Sequence, residues 1–344
     1  MSAQGAPLHR ARLQSGFVLV LTLWVMVIVA IAAGYFAQRV ARAVELAQQS
    51  RQNTRALIDM ASTRSEILYR LASSTMTEYG LGRGSTAIYL DDRPYRGEGN
   101  TLVRLQDSRG LLNLNLIDDG RLNRFLGLLG IEAEQRSHLI DTLRDYTDAD
   151  NLTRLNGAEA DEYRALGLPP PTNRDLVTPW QAKRIIGWRT TPELWQNDRL
   201  TDLTTTSQSM GINPNTAPAE VLATLPGVTQ EMAQIILAQR KLVPFTNEGQ
   251  ITQITTMPLD LPMGMGVIAI PSDTLRITQS SPGLPWAIQY NIKLTPNSQD
   301  APWRTDYYSR VSVPASDAAS VVGTELPPRS IVPPDRVPAF LFGG

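Results

Sequence analysis

An uncharged apolar run dominates the N-terminal part of the chain: residues 17–38 read FVLVLTLWVMVIVAIAAGYFAQ. As a helix that rises ~1.5 Å per residue, this run would be about 33 Å long, which matches the apolar core of a bilayer. His9, Arg10 and Arg12 precede the run, and the first acid of the chain is Glu45. This charge asymmetry predicts a single-pass helix with a cytoplasmic N-terminus and with the rest of the chain outside the cytoplasm.

A cleaved secretory signal peptide is the alternative interpretation, because Ala30-Ile31-Ala32 is a small-residue cleavage site. The apolar run is longer than a typical signal core, however, and helix-compatible sequence continues without a break to Tyr79. We therefore expect a retained transmembrane helix over residues 17–38 and a helical extension over residues 39–80. Apolar side chains at helical spacing predict the buried face of that extension: Leu57, Met60, Ala61, Leu68 and Leu71. A glycine cluster is the expected stop signal: Gly80, Gly82 and Gly84.

The composition excludes several classes of function. The 344 residues include no cysteine, so disulfides, thiolate metal sites and a thiol nucleophile are excluded. The 32 basic and 33 acidic residues nearly balance, so no global field attracts nucleic acid. No His-Glu-x-x-His, Gly-x-Ser-x-Gly or phosphate-loop spacing occurs. We predict a non-enzymatic protein; a hydrolase that uses Asp148 and Glu159 as a carboxylate pair is the open alternative.

Strand and helix patterns divide the remainder of the chain and predict an α+β fold. Short β-prone runs, separated by turns such as Asp91–Pro94, occupy residues 87–90, 102–105 and 111–116. Strand patterns return at residues 274–279, 287–294 and 307–313. We expect an antiparallel sheet from residues 81–116 and 263–313, an inserted helical domain at 117–262, and a disordered proline-rich tail at 314–344.

The helical region contains a weak internal repeat. Asn113-Leu114-Asn115 and Asn213-Pro214-Asn215 each precede a helix, a glycine turn (Gly130 or Gly227) and a second helix. Such units resemble helix-hairpin-helix motifs, whose turn amides can bind a DNA phosphate. Residues 211–243 carry two acids and two bases, whereas DNA binding needs a basic surface. We therefore expect structural use of both repeats and no nucleic-acid partner.

Acidic residues cluster after the first repeat. Residues 141–164 hold seven acids and three arginines, and oxygen ligands without Cys or His favour Ca²⁺ over zinc. Asp148, Asp150 and Glu159 match positions 1, 3 and 12 of an EF-hand loop, but Leu152 and Thr153 do not fit that motif. A solvated helix end whose acids pair with the arginines is the competing interpretation, and the residues leave the choice open.

The N-terminal residues resemble the leader of type IV pilins and pseudopilins, in which Ser15-Gly16-Phe17 would precede the long apolar helix. The resemblance implies that prepilin peptidase cuts after Gly16, removes residues 1–16 and methylates the new N-terminal Phe17. Leu21 stands at the fifth mature position, where this family nearly always carries glutamate. That departure resembles the K-type minor pseudopilin of type II secretion, a subunit at the filament tip.

Four internal motifs extend the K-type resemblance over residues 13–313: 107–115, 145–150, 156–159 and 212–217. The resemblance implies a pseudopilin sheet on a long helix, with an inserted helical domain that contains the two helix-hairpin-helix repeats. It implies a bacterial inner-membrane protein, largely periplasmic, that initiates or caps the pseudopilus. The implied partners are I- and J-class minor pseudopilins, the major pseudopilin filament, prepilin peptidase, membrane lipid and a secreted substrate. A membrane-anchored DNA-binding protein of a DNA-uptake system is the rival function.

The resemblance also favours Ca²⁺ as the only expected cofactor. Calcium binding in the inserted domain is a property that the K class would share. The candidate ligands are Asp145, Asp148, Asp150, Glu159, Asp161 and Glu162.

Overall fold

The computed structural model describes residues 15–256, 266–314 and 323–328. Its helices are α1 (Ser15–Ser73), α2 (Asp119–Leu128), α3 (Ala133–Thr147), α4 (Ala160–Ala165), α5 (Pro192–Trp195), α6 (Arg199–Leu203), α7 (Ala219–Leu222), α8 (Gln230–Leu242) and α9 (Glu248–Thr255). Its strands are β1 (Met76–Thr77), β2 (Gly80–Leu81), β3 (Asp91–Arg96), β4 (Leu102–Asp107), β5 (Leu112–Asn113), β6 (Thr204–Thr205), β7 (Thr274–Ser280), β8 (Ala287–Leu294), β9 (Trp303–Val311) and β10 (Thr324–Glu325). The chain forms two compact units, residues 1–55 and 56–344.

The described part of the first unit is the N-terminal portion of α1. Every described side chain from Phe17 to Gln52 is exposed. A helix satisfies its backbone hydrogen bonds internally, so it can stand in lipid without other elements of secondary structure.

The last turns of α1 belong to the second unit and bury one stripe of side chains. The buried residues follow a spacing of three or four: Ala56, Met60, Thr63, Ile67 and Leu71. Leu57 and Ala61, which the apolar periodicity assigned to this face, are exposed. The buried face is rotated because small Ala56 and polar Thr63 lie on it, and neither stands out in an apolar pattern.

A mixed six-stranded sheet packs against this stripe, in the order β10-β3-β4-β7-β8-β9. All its neighbours are antiparallel except β10 and β3, which are parallel. Every residue of β7 is buried, as expected for a central strand with both faces covered. Val103, Leu105, Ile277 and Tyr290 join Met60 in the core between sheet and helix. The α+β prediction, with a long N-terminal helix, a sheet and a helical domain, is confirmed.

Several local predictions are wrong. Residues 87–90, expected to form a strand, make only an isolated bridge at Ile88, and residues 111–116 contribute the short β5, which pairs in parallel with β6 outside the six-stranded sheet. Residues 91–94, expected to form a turn, begin strand β3, where a bulge and a left-handed Asp92 (φ 64°) accommodate Pro94. Helix α1 ends at Ser73 rather than near residue 80, and the following residues form the β1-β2 hairpin. Thr324–Glu325, within the tail expected to be disordered, adds strand β10 to the sheet. Strands β3 and β10 form because they pair with other strands, which overrides local sequence preference, whereas α1 ends early because the chain turns into a local hairpin.

The helical domain has a core of its own. The helix pairs α2-α3 and α7-α8 each flank a glycine in the left-handed region, Gly130 (φ 92°) and Gly227 (φ 75°). Thr229 caps α8, because its hydroxyl oxygen accepts a hydrogen bond from the Met232 amide. Phe125, Leu143, Trp188, Leu222 and Ile236 are fully buried in the shared core.

Asp107, the last residue of β4, joins the sheet to the helical domain. This carboxylate is fully buried. Its Oδ1 accepts hydrogen bonds from the Ser272 amide and hydroxyl, both at 2.8 Å, and from the Arg109 amide at 3.1 Å. Its Oδ2 accepts from Asn213 Nδ2 and Thr216 Oγ1, both at 2.9 Å. Thr216 bonds to Asp107 rather than capping the following helix, and Pro218 is the N-cap of α7.

Gly110 allows the two segments to meet at this junction. A Cβ atom at Gly110 would lie 2.4 Å from Gln106 Nε2 and 2.7 Å from the Thr216 carbonyl oxygen. Because a backbone atom cannot yield as a flexible side chain does, only glycine fits this position.

We expect Asp107→Asn to lower the free energy of unfolding of the full chain in detergent by roughly 2–4 kcal/mol, because an amide group would face donors that now reach an oxygen. Denaturant titration followed by circular dichroism measures the change. Asp300→Asn, at an exposed position, is the matched control and should change stability by less than about 0.5 kcal/mol. Equal stability of the two variants would contradict the role assigned to Asp107.

Candidate functional site

The apolar face of α1 is the first candidate functional surface. Among the described residues, one helix is long and apolar enough to cross a membrane, and its apolar window has a mean hydropathy of 2.8 and no buried residue. Exposed apolar surface of this extent marks a site that contacts lipid or other helices. The helix therefore fits a single-pass membrane anchor.

The predicted processing residues lie at the start of this helix. Gly16 and Phe17 occupy its first turn, and Leu21 follows one turn after Phe17. Phe17 is 71% exposed and Leu21 is 53% exposed, so both side chains are available to a partner in the described structure. Leader residues 1–14 lie outside the described part of the chain, and cleavage and methylation remain predictions.

The acidic loop between α3 and α4, residues 148–159, is the second candidate site. One carboxylate oxygen from each of Asp148, Asp150 and Glu159 lies within 4.8 Å of the others. These are the three residues that match EF-hand positions 1, 3 and 12, although Leu152 and Thr153 between them do not fit that motif. Within the described residues, no ion pair joins any of the three to a cation.

The cluster contains buried carboxylate oxygens without a hydrogen-bond partner. Both oxygens of Glu159 and Oδ1 of Asp148 are in this condition, and Glu159 is only 4% exposed. Burial, followed by repulsion from Asp145, Asp148 and Asp150, raises the pKa of Glu159 to about 7. Burial also raises the pKa of Asp148, with further repulsion from Asp150 and Asp145. A bound cation would offset both the cost of burying these carboxylates and the repulsion between them.

The other three predicted ligands have different surroundings. Asp145 is buried behind the loop, and its Oδ2 accepts from the Arg154 amide at 3.1 Å. Asp161 is exposed and pairs with Arg164 at 2.5 Å. Glu162 Oε2 accepts from the Glu159 amide at 2.9 Å, at the start of α4. Arginine pairing, the competing interpretation, thus accounts for Asp161 and in part for Asp145, but not for the three gathered carboxylates.

Gly157 was marked in the sequence only as part of the motif 156–159, with no role of its own, yet the loop depends on it. A Cβ atom there would lie 1.9 Å from Asp145 Oδ2, so the loop can pass Asp145 only with glycine at this position. The Asn156-Gly157 pair is a turn signal in the sequence. The turn signal does not reveal that the turn packs against the Asp145 side chain.

The chemistry of these donors suits a hard divalent cation. Ca²⁺ takes six to eight oxygen ligands in flexible geometry, and three carboxylates leave room for backbone oxygens and water. The absence of nitrogen and sulfur donors in the cluster disfavours zinc and copper. Asp148, Asp150 and Glu159 would hold the ion, and Asp145 would lie behind them.

Arg240 of the second helix pair is engaged inside the protein. Arg240 Nη1 donates to the Pro214 carbonyl oxygen at 3.0 Å and to the Ala217 carbonyl oxygen at 2.5 Å. Its Nη2 also lies 3.6 Å from Asp91 Oδ2. An arginine engaged in this way is not available to a phosphate, which disfavours DNA binding at this hairpin.

Large cavities lie away from the acidic loop. Two cavities, with volumes of about 650 and 480 Å³, are lined by other residues, and neither includes Asp148 or Glu159. The carboxylate pair therefore does not face a cleft of substrate size in either of these places.

Comparison with protein families gives two matches to the same family. Two family models, both described as type II secretion system (T2SS), protein K, match residues 100–234 and 212–262. The chain belongs to the protein K family of the type II secretion system. The K-type resemblance deduced from the sequence motifs is thereby confirmed, and the family is a structural component of the secretion system.

A solved structure has the same fold as this protein K family member. A chain of the crystal structure of the GspK-GspI-GspJ complex from enterotoxigenic Escherichia coli aligns with a TM-score of 0.50 and 17% sequence identity. The alignment covers 78% of this chain and 99% of that chain. At this identity the likeness concerns the fold alone. No curated protein matches the sequence.

The raised pKa of Glu159 predicts a pH dependence for the metal-free protein. The folded pKa of about 7 exceeds the ordinary value of 4.5, so the folded state resists ionisation. Stability should therefore fall as pH rises from about 4.5 to about 7 and then level off. Chemical denaturation of metal-stripped protein at pH 5 and pH 8 measures this change, and Glu159→Gln should reduce it. An identical pH profile for both proteins would contradict the burial of the Glu159 carboxyl.

Proposed function

We propose that this protein is a minor pseudopilin at the tip of the type II secretion pseudopilus. There it initiates or caps assembly of the filament that exports folded proteins across the outer membrane. The match of residues 100–262 to the protein K family carries the proposal. The exposed apolar helix, which a filament subunit needs, supports it.

The helix α1 would serve in two environments in succession. In the inner membrane, with its N-terminus cytoplasmic and the rest of the chain periplasmic, its apolar side chains would contact lipid. In the filament, the same surface would pack against helices of other subunits. Small residues that allow close approach of neighbouring backbones lie along it: Ala30, Ala32, Ala33, Gly34 and Ala37. The GspK-GspI-GspJ complex supports I- and J-class minor pseudopilins as the neighbours.

Leu21 supports placement at the tip. A mature N-terminal ammonium group is costly inside a filament unless a glutamate of an adjacent subunit pairs with it. A subunit with nothing above it has no such ammonium group to neutralise, so it can carry leucine at the fifth mature position. The helical domain between β4 and β7 adds bulk that favours the end of the filament over its shaft. A secreted substrate or an outer-membrane component would contact this end.

We infer a structural rather than catalytic or DNA-binding role for the helical domain. Its two helix pairs resemble helix-hairpin-helix units, but their glycine turns lie between helices that build one shared core. Arg121 Nη2 donates to Thr224 Oγ1 at 3.3 Å and Arg124 Nη1 to the Thr224 carbonyl oxygen at 2.6 Å, which joins the two pairs. Basic residues used in this way hold the domain together.

We also infer that Asp148, Asp150 and Glu159 bind Ca²⁺. The unpartnered buried oxygens of Asp148 and Glu159 support this inference most directly. Calcium would tie the end of α3 to the start of α4 and so stabilise the domain without taking part in any reaction.

Processing of the N-terminus tests the proposed class of subunit. We expect intact-mass measurement of the native protein to show loss of residues 1–16 and one methyl group on Phe17, because prepilin peptidase performs both steps. Gly16→Leu should leave the leader attached. A mature chain that begins at Ala33 would instead indicate general secretion and would contradict the proposal.

Placement in the filament tests the role of Leu21. We expect Leu21→Glu to weaken crosslinking of this protein at the tip with its I- and J-class partners, because an unpaired carboxylate would enter an apolar surface. Leu21→Met is the matched control and should preserve the crosslinks. Unchanged tip placement of the glutamate variant would contradict the charge argument.

Calcium should raise the thermal stability of the full chain in detergent. At Ca²⁺ concentrations 100 times the dissociation constant, binding to the folded state alone would add about 2.7 kcal/mol, a shift of several degrees in Tm. Glu159→Gln or Asp150→Asn should abolish the shift, whereas Asp161→Asn should preserve it. Equal Tm of wild-type protein in calcium and in chelator would overturn the calcium inference.

DNA binding by the helical domain is the rival function, and salt-dependent titration of a labelled duplex separates the two. We expect only weak association that disappears as salt rises. Tight binding at physiological salt would favour the DNA-uptake alternative.

A further inference from the structure

One face of helix α3 contacts the acidic loop through residues outside the gathered carboxylates. His138, Asp141 and Asp145 are spaced by three and four positions, so their side chains emerge on the same side of the helix. All three bond to atoms of residues 154–156. A histidine and two acids are ordinary residues for a surface helix, so their composition alone does not indicate these contacts.

Asn156 is held at three atoms by this face. His138 Nδ1 lies 2.7 Å from the Asn156 carbonyl oxygen. A carbonyl oxygen only accepts, so the hydrogen must reside on Nδ1. Asp141 Oδ2 accepts from the Asn156 amide at 3.1 Å and from its side-chain Nδ2 at 3.0 Å. Asn156 itself is exposed, so these contacts, rather than burial, fix its position.

The acidic loop needs hydrogen bonds that hold it in place because it carries several negative charges close together. It holds three carboxylates within 4.8 Å of one another, and like charges at this distance repel. A loop free to move would relieve the repulsion by opening. Hydrogen bonds from a rigid helix to the loop backbone oppose this opening without adding a ligand.

The two ends of the loop are anchored as well. Tyr146 and Tyr163, which flank it, are buried with ring centroids 6.2 Å apart. The Tyr163 hydroxyl oxygen accepts from the Ile186 amide at 3.1 Å. With both ends fixed in the core, the contacts at Asn156 determine the course of the middle of the loop.

We propose that His138 and Asp141 clamp Asn156, so that the acidic loop is folded before a cation arrives, and that these positioning residues set cation affinity without touching the ion. The proposal rests on the inferred calcium site. Outer residues that orient metal ligands commonly change affinity by about 10–100-fold when they are removed.

Asp141→Ala tests the clamp, with Asp141→Asn as the conservative variant. Alanine removes the acceptor, whereas asparagine keeps one acceptor oxygen for Asn156, replaces the other oxygen by an NH2 group and removes the charge. By calorimetric titration of the full chain in detergent with CaCl₂, we expect Asp141→Ala to weaken binding by about tenfold or more. Asp141→Asn should stay within about threefold of wild type if the hydrogen bonds, rather than the charge, set the affinity. Equal losses in the two variants would assign the effect to charge and overturn the clamp.

Amide hydrogen exchange provides a readout that does not require calcium. In metal-stripped wild-type protein we expect protection of the Arg154 and Asn156 amides, and in Asp141→Ala we expect loss of protection at Asn156. Glu134→Ala, which removes an exposed carboxylate from the same helix, is the matched control and should change neither affinity nor exchange. Unprotected loop amides in the metal-stripped wild type would overturn the proposal that the loop is pre-formed.

A second pair of variants distinguishes loss of the clamp from a general loss of folded structure. His138→Ala should weaken calcium binding, and His138→Asn, which keeps a donor near the position of Nδ1, should restore part of it. If wild-type protein binds no calcium while its loop amides are protected and Asp141→Ala exposes them, the calcium site fails and the pre-formed loop stands. If calcium binds with the same affinity in Asp141→Ala and His138→Ala, the clamp fails and the calcium site stands.

Discussion

The buried carboxylate of Asp107 is the constraint on which the second unit depends. A charge without water is tolerated only when donors replace its hydration, and here donors from three separate segments converge on its two oxygens. Those segments are the end of β4, the turn before α7 and the approach to β7. The chain leaves the sheet and returns to it beside the same side chain, so a large helical domain can lie between two neighbouring strands without breaking their pairing.

Arg109 reinforces that junction from the other side. Its guanidinium group donates to the carbonyl oxygens of Met210, Ile270 and Pro271. The segment 107–110 therefore carries both an acceptor and a donor for chain that is remote in sequence. This double role gives segment 107–110 a structural function at the junction of sheet and helical domain.

The acidic loop obeys a different principle. Its three gathered carboxylates disfavour one another, and the fold compensates with aromatic anchors at both ends and with hydrogen bonds from α3. If this loop binds a cation as proposed, it would do so with less reorganisation, because part of the cost has been met in folding. The apolar surface of α1 shows the same logic on a larger scale, since it is unfavourable in water and favourable only in lipid or among other helices.

The sequence alone determined that α1 is a long apolar helix that fits a membrane anchor, the order of sheet and helical regions, and strands such as β8, whose predicted bounds match the observed ones. These properties follow from periodicity, charge and length, all of which are local features of the sequence. It also marked Asp148, Asp150 and Glu159 as a group, because their spacing resembles a known loop. Only the tertiary structure decided that Asp145 lies behind the loop, that Thr216 bonds to Asp107, and that residues 91–94 extend a strand. In each case the deciding partner lies in another element or loop, from about ten residues away for Asp145 and β3 to more than a hundred for Thr216. Such pairings depend on how the chain packs rather than on a local pattern.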